Sequence, residues 1–165
     1  DGGGVGTIAL QYAKYMGAEV TCVDTEDKFD ALRSLGADHL TDFRKEDYTK
    51  TGKQYDKILD VTAHRTVSDY KRALNPGGIF SMIGGSMGWL LVQMMVLTIL
   101  PSSENKKVGI MGYKPNRKDL DYLIQLFDEG KVIPIVDSSF ELADTADAFR
   151  YFMGGKFKGK IVIEI

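Results

Sequence analysis

The chain has 165 residues, with 21 lysine plus arginine against 23 aspartate plus glutamate and a formal net charge of -2. That balance excludes nonspecific nucleic-acid binding, which needs a basic surface to displace counterions from phosphates. A composition 44% hydrophobic and 27% charged excludes a disordered chain and suits one domain-sized core. The single cysteine, Cys22, excludes an internal disulfide framework, fits a reducing compartment, and leads us to expect a cytoplasmic protein.

Asp1-Gly2-Gly3-Gly4 opens the chain without the basic and apolar run of a signal peptide. Val5, Ile8, Ala9, Tyr12, Ala13 and Met16 recur at i, i+3, i+4, i+7, i+8 and i+11, one face of a helix that Gly17 closes. Residues 19–23 predict a short buried strand, 29–35 a helix stopped by Gly36, and 39–41 a weak strand. A strand over 57–61 leads to a helix over 67–74. Asn75-Pro76-Gly77-Gly78 is a strong turn signal, and 79–83 predicts the next strand, ending at Gly84-Gly85. The apolar run 89–100 contains Gln93 and Thr98 and is shorter than the ~20 residues a bilayer span takes. It predicts a buried or interface helix, and no membrane association is expected. Residues 108–113 predict a strand. Leu120, Leu123, Ile124 and Phe127 mark an amphipathic helix, with Asn116 at its start and Gly130 at its stop. A strand over 132–136 carries Pro134, which favours a sheet edge. A helix over 145–153 and a strand over 160–165 end the chain. Strands alternating with helices across short loops predict an α/β fold, a doubly wound parallel sheet. The character of the chain changes at about Ile133, so the last segment is expected to pack on something other than the first sheet.

Gly2-Gly3-Gly4-Val5-Gly6 is a glycine loop at the start of a helix. Such a loop lets backbone approach a pyrophosphate, with first-turn N–H groups and the helix dipole favouring the anion. Gly3 and Gly6 match the second and third glycines of G-x-G-x-x-G, and Asp1 falls where the first would be. Asp24, at the end of the next strand, is placed to accept hydrogen bonds from the adenosine ribose hydroxyls and to repel a 2′-phosphate. That leans toward NAD, while Lys28 could pair with a 2′-phosphate, and NAD or NADP stays open. The bland alternative is a tight turn whose Asp24 caps the following helix.

Three runs strongly resemble the medium-chain dehydrogenase/reductase superfamily: Gly3-Gly4-Val5-Gly6-Thr7-Ile8-Ala9-Leu10-Gln11-Tyr12-Ala13-Lys14, Leu32-Arg33-Ser34-Leu35-Gly36-Ala37-Asp38-His39, and Lys158-Gly159-Lys160-Ile161-Val162-Ile163. The chain looks most like the zinc-independent, quinone-oxidoreductase-like branch of this alcohol-dehydrogenase-like group. The resemblance implies a Rossmann-type cofactor-binding domain over 1–132, and over 133–165 the C-terminal segment of a split catalytic domain. It implies NAD(P) binding by Gly2, Gly3, Gly4, Val5 and Gly6, with Asp24, Thr25, Lys28 and Phe43 on the adenosine side. Phe43 stands where Tyr is more usual and lacks the ring hydroxyl. Val61 and Thr62 after Asp60, and Ile83, Gly84 and Gly85, would line the adenine and nicotinamide path. Residues 108–113 resemble a strand that many members pair across a two-fold axis, and a homodimer through the stretch from Trp89 to Tyr113 is expected.

A dinucleotide fold needs a strand before its glycine loop, and none is present before Gly2. That strand is central in the 3-2-1-4-5-6 order, so its absence would split the sheet. We therefore expect a fragment of a longer reductase, inactive alone. Zinc needs several Cys, His or carboxylate ligands. Cys22 reads as a small core residue, His39 as structural or solvated, and His64 and Arg65 as either near the cofactor or in a solvated loop. No metal site and no catalytic residue are assigned. The leading function is hydride transfer between a nicotinamide cofactor and a small-molecule carbonyl, enone or quinone substrate. The alternatives are an S-adenosylmethionine-dependent class I methyltransferase, which shares a glycine loop and an acidic strand end, and a non-catalytic dinucleotide-binding module.

Overall fold

The structure, a computed structural model, describes residues 2–85, 88, 92, 95 and 105–165. Asp1 and, apart from Val92 and Met95, the apolar run 89–100 lie outside the described residues, and with them most of the expected dimer stretch. The helices are α1 (Gly4–Tyr15), α2 (Phe29–Ser34), α3 (Val67–Arg72), α4 (Arg117–Asp128) and α5 (Thr145–Met153). The strands are β1 (Thr21–Asp24), β2 (His39–Asp42), β3 (Tyr55–Asp60), β4 (Leu74–Met82), β5 (Lys107–Ile110), β6 (Val136–Glu141) and β7 (Lys160–Glu164). Among the described residues every strand pairing is parallel, in three sheets: β1–β2, β3–β4–β5 and β6–β7. The fold is α/β, and its first five strands stand as two sheets. The last two strands pair with each other in a sheet of their own. Two compact units result, one of Asp1–Glu46 with Pro115–Ile165, the other Asp47–Lys114. No described helix is long and apolar enough to cross a membrane.

In the first unit, α1 buries Thr7, Leu10 and Gln11. Leu10 joins Cys22, Leu32 and Ala37 in a core that Val20, Leu35 and Leu40 close. The predicted stripe is not the buried face: Val5, Tyr12 and Met16 are exposed. Hydrophobic spacing locates a helix but not which of two adjacent faces is covered. Here the covered face carries a polar residue whose partners are distant in sequence. The Gln11 amide oxygen accepts from Ile133 N–H at 2.8 Å, and its nitrogen donates to Ile133 C=O at 2.9 Å and to Thr7 C=O at 3.1 Å. The side chain pairs with the Ile133 backbone much as a neighbouring strand would.

That pairing explains a correction. The strand predicted over 132–136 begins instead at Val136. Lys131 and Val132 give their N–H groups to Leu126 C=O at the end of α4, Ile133 gives its N–H to Gln11, and Pro134 has none. The α4 boundaries follow the sequence. Asn116 caps it by accepting from Asp119 N–H at 2.9 Å, and Gly130 takes the left-handed φ of 65° that favours glycine. Leu126 is its buried residue, with Leu123 and Phe127 half-buried and Leu120 and Ile124 exposed.

One lock joins α1 to both strands of the first sheet. Gly36 has φ 99°, and a Cβ there would lie 3.2 Å from Lys14 Cγ. Over that bare backbone the Lys14 ammonium reaches both Asp38 oxygens at 2.9 and 2.7 Å and the Ala18 carbonyl at 3.0 Å. Asp38 also accepts Val20 N–H at 2.7 Å, so Gly36-Ala37-Asp38 ties the end of α1 to the approaches of β1 and β2.

The second unit is built on Ala63, Tyr70, Leu74, Phe80 and Met82, with Ile58 and Val108 packed against them. Tyr70 and Phe80 stack at 3.8 Å between ring centroids. α3 starts in a capping box between Thr66 and Asp69. Asn75-Pro76-Gly77-Gly78 does not separate α3 from the next strand. Tyr55 pairs with Leu74 and Lys57 with Ile79, so the turn loops out as a bulge within β4.

Replacing Gln11 by alanine leaves the Ile133 N–H and C=O without this partner. The expected loss is about 1–3 kcal/mol, read as a lower urea midpoint at unchanged slope.

Candidate functional site

The glycine loop leads directly into the start of α1. Its N-cap, Gly3, is extended and makes no side-chain cap, and the first turn holds no acidic residue. The first-turn N–H groups therefore carry the partial positive charge of the helix start with no acidic side chain of that turn to offset it. Gly2 lies between the ends of β1 and β7. Its N–H donates to Asp24 Oδ2 at 2.5 Å, and its C=O accepts from Gly159 N–H at 2.8 Å. Gly3 and Gly159 form an isolated parallel bridge.

Asp24, at the end of β1, is 8% exposed. Besides Gly2 it accepts Thr25 N–H at 2.7 Å and the Thr25 hydroxyl at 3.3 Å, and Lys28 Nζ lies 3.7 Å from Oδ1. Lys28 is only 7% exposed, with its ammonium 5.5 Å from the centre of the Phe157 ring. It faces Asp24 rather than solvent. Phe43 follows β2, gives its N–H to Asp24 C=O at 3.4 Å, and is 46% exposed. The structure thus brings together Gly2, Gly3, Gly4, Asp24, Thr25, Lys28 and Phe43, with Val5 and Gly6 in the same helical turn. β1 and β2 pair Asp24 with Asp42. Asp42 is held well below the usual carboxylate range by the Arg44 guanidinium, whose Nε and Nη2 lie 3.0 and 2.7 Å from it.

Sequence reasoning assigned no site role to the closing residues. A Cβ on Gly4 would stand 2.8 Å from Lys160 Nζ, and a Cβ on Gly2 2.8 Å from Lys28 Cδ. The lysine run was visible, but nothing local says that Lys160 crosses the glycine loop.

The second unit holds the other expected residues. Val61 and Thr62 follow β3, and Ile83, Gly84 and Gly85 follow β4. Ile83 N–H donates to Asp60 C=O at 2.9 Å and Ala63 N–H to Gly84 C=O at 3.2 Å, and Ala63 bridges Gly85. A Cβ on Gly84 would lie 2.7 Å from Val61 C=O, and one on Gly85 2.9 Å from Ala63 C=O, so glycine is required for the two strand ends to run this close. Arg65 turns away from a ligand role. Its Nε donates to Asp47 at 3.0 Å and its guanidinium lies 4.9 Å from the centre of the Tyr48 ring. His64 Nδ1 lies 3.2 Å from the Thr62 carbonyl.

A zinc site does not fit these residues. Cys22 is buried in the first core, burial pushes its thiol pKa up, and His39 pairs with Glu19 at 2.6 Å. Among the described residues no three His, Cys, Asp or Glu side chains gather to hold a metal.

The family described as zinc-binding dehydrogenase matches residues 35–163. The chain belongs to the zinc-binding dehydrogenase family. It is 30% identical over 166 residues to the chloroplastic quinone-oxidoreductase QR1 of Triphysaria versicolor, covering 98% of this chain and 50% of that protein. It is 33% identical over 171 residues to an alcohol dehydrogenase of Geobacillus stearothermophilus, covering 99% and 48%. The solved quinone oxidoreductase of Coxiella burnetii superposes with a TM-score of 0.79 at 21% identity, over 99% of this chain and 50% of that one, which shows the shared fold. The chain spans about half the length of these relatives. The resemblance to medium-chain dehydrogenase/reductases therefore holds. Membership of the zinc-binding dehydrogenase family does not favour a methyltransferase.

The Asp47 tether makes a pH test. Burial raises this carboxyl, but hydrogen bonds from the Thr49 hydroxyl and amide and the nearby Arg65 outweigh it and hold the pKa down to about 2 from 3.8. A carboxyl depressed by folding stabilises the fold above its unfolded value and loses that contribution as pH falls through the folded value. Stability is expected to drop between pH 4 and pH 2, and Asp47→Asn to flatten that slope in urea titrations at stepped pH.

Proposed function

We propose that this chain is the NAD(P)-binding half of an oxidoreductase that transfers hydride between a nicotinamide cofactor and a carbonyl, enone or quinone substrate. The observation that carries the reading is the glycine loop itself, fastened to the Asp24 carboxylate through Gly2 N–H where it enters a helix whose first turn holds no acidic residue. The first-turn amides of Gly4, Val5 and Gly6 hold the pyrophosphate, with the Lys160 ammonium above Gly4 adding positive charge. Asp24 and Thr25 take the ribose hydroxyls, and the exposed Phe43 ring offers a face to the adenine. Val61, Thr62, Ile83, Gly84 and Gly85 line the nicotinamide path. The cofactor supplies the hydride chemistry, and these residues bind and orient it.

NAD is the favoured cofactor. Lys28 is neutralised by Asp24 and covered by Phe157, which leaves little net positive charge for a 2′-phosphate. In this reading residues 1–132 form the cofactor-binding domain and 133–165 the returning segment of a catalytic domain. Relatives about twice as long support turnover by a longer protein rather than by these residues alone. A homodimer through residues 89–113 and a cytoplasmic location belong to the same reading.

Titration with NADH, NADPH and S-adenosylmethionine tests it, by nicotinamide fluorescence and thermal shift. NADH is expected to bind more tightly than NADPH. Asp24→Ala is expected to weaken NADH on the order of tenfold, the size of losing hydrogen bonds to a charged group. Stabilisation by S-adenosylmethionine alone would sink the proposal. Dinucleotide binding without turnover of any quinone, enone or carbonyl in a protein carrying the whole catalytic domain would point instead to a non-catalytic binding module.

A further inference from the structure

The segment from Phe157 to Lys160 touches the proposed cofactor cradle at each step. Phe157 lies under Lys28, Gly159 N–H bonds Gly2 C=O at 2.8 Å, and the Lys160 side chain covers Gly4. Its path is held by three successive N–H groups, each bonded to a different place. Lys158 N–H donates to Asp137 Oδ1 at 2.9 Å, Gly159 N–H to Gly2, and Lys160 N–H to Ile135 C=O at 2.7 Å. Gly159 has φ 85°, and a Cβ there would stand 2.3 Å from Ile135 C=O, so the segment can follow this path only with glycine at that residue.

Asp137 is the one side chain in this set. β6 and β7 pair Val136 with Lys160 and Ser138 with Ile161, which leaves Asp137 as the extra residue of a bulge. Bulges re-aim a side chain away from the regular sheet face. Here the carboxylate accepts from Lys158 N–H and, on Oδ2, from the Ser138 hydroxyl at 2.6 Å and the Tyr151 hydroxyl of α5 at 2.7 Å. One ionised group thus joins β6, α5 and the turn into β7.

We propose that Asp137 is a positioning residue of the pyrophosphate cradle, holding Lys158-Gly159-Lys160 at the distance from the glycine loop at which the Lys160 ammonium meets the anion. The proposal rests on the dinucleotide reading above. Asp137 touches no ligand and acts through the backbone it anchors.

The test compares Asp137→Ala, the gentler Tyr151→Phe, Lys160→Met and the Asp137→Ala/Lys160→Met double variant of the purified protein. Binding of ADP-ribose and of adenosine is measured by calorimetry, with amide hydrogen exchange at 158–160. Asp137→Ala is expected to weaken ADP-ribose on the order of tenfold, the scale of a charge-assisted hydrogen bond. Tyr151→Phe should weaken it about two- to threefold, since it removes one of three donors. Adenosine, which has no phosphate, should bind equally to all. In the Lys160→Met background the loss from Asp137→Ala should shrink, because both changes act on one contact, and exchange at 158–160 should quicken in the Asp137 and Tyr151 variants. Equal losses for adenosine and ADP-ribose, or additive losses in the double variant, would make Asp137 a general fold residue and overturn the proposal. Should Asp137→Ala fail to fold, unchanged ADP-ribose affinity and exchange in Tyr151→Phe would overturn it alone. Failure of the unaltered protein to bind ADP-ribose would instead overturn the dinucleotide reading, and this proposal with it.

Discussion

The first unit depends on how the Gly2 peptide is gripped. Its N–H is taken by the Asp24 carboxylate at the end of β1 and its C=O by Gly159 N–H at the entry to β7. Three pieces of chain remote in sequence meet on that one residue. A Cβ at this place would stand 2.8 Å from Lys28 Cδ, so any larger residue would have to push the Lys28 side chain aside. A buried peptide needs both its polar groups satisfied, and here the satisfaction also aims the start of α1. The glycine loop is positioned by a carboxylate on one side and by the Gly159 backbone on the other.

Charge compensation follows from the strand register. Parallel pairing of β1 and β2 sets Asp24 beside Asp42 at the same end of the sheet. Two carboxylates on neighbouring strands repel, and each is answered by its own cation, Lys28 for Asp24 and Arg44 for Asp42. The difference between the two pairs is exposure. Lys28 is buried under Phe157 while Arg44 stays half in solvent. The Asp24 pair is the one with both partners shielded, and it is the pair nearest the glycine loop.

What could be read from the sequence was what local chemistry dictates. Gly17 and Gly36 close their helices in the left-handed region, Asn116 caps α4, and the strands of the parallel sheets fall within a few residues of the hydrophobic runs. The placement of Asp24 with Thr25 and of Gly84 with Gly85 at strand ends was legible because that geometry repeats along any such sheet. The misses share another cause. Gln11 outranks its apolar neighbours for burial because it finds the Ile133 backbone, 122 positions away. The strand expected at 132–136 starts late for the same reason. Asn75-Pro76-Gly77-Gly78 has the composition of a turn, but continuous pairing of β3 with β4 on both sides absorbs it as a bulge. Lys160 over Gly4 is likewise a tertiary fact. In each case a long-range partner overrides a correct local preference.

The contact between residues 157–160 and the glycine loop has a thermodynamic consequence. If an anion at the start of α1 favours the docked arrangement of Gly159 and Lys160, then docking must favour the anion by the same factor, since coupling between two equilibria is reciprocal. In that case the segment that follows β6 takes part in the binding equilibrium. Gly159 sits at the junction: its φ of 85° and the closeness of Ile135 C=O require glycine there, and its N–H bonds Gly2 C=O beside the Lys160 N–H that bonds Ile135 C=O. A carboxylate on the β6 bulge is the one place where a side chain, rather than backbone geometry, sets the pairing of β6 with β7.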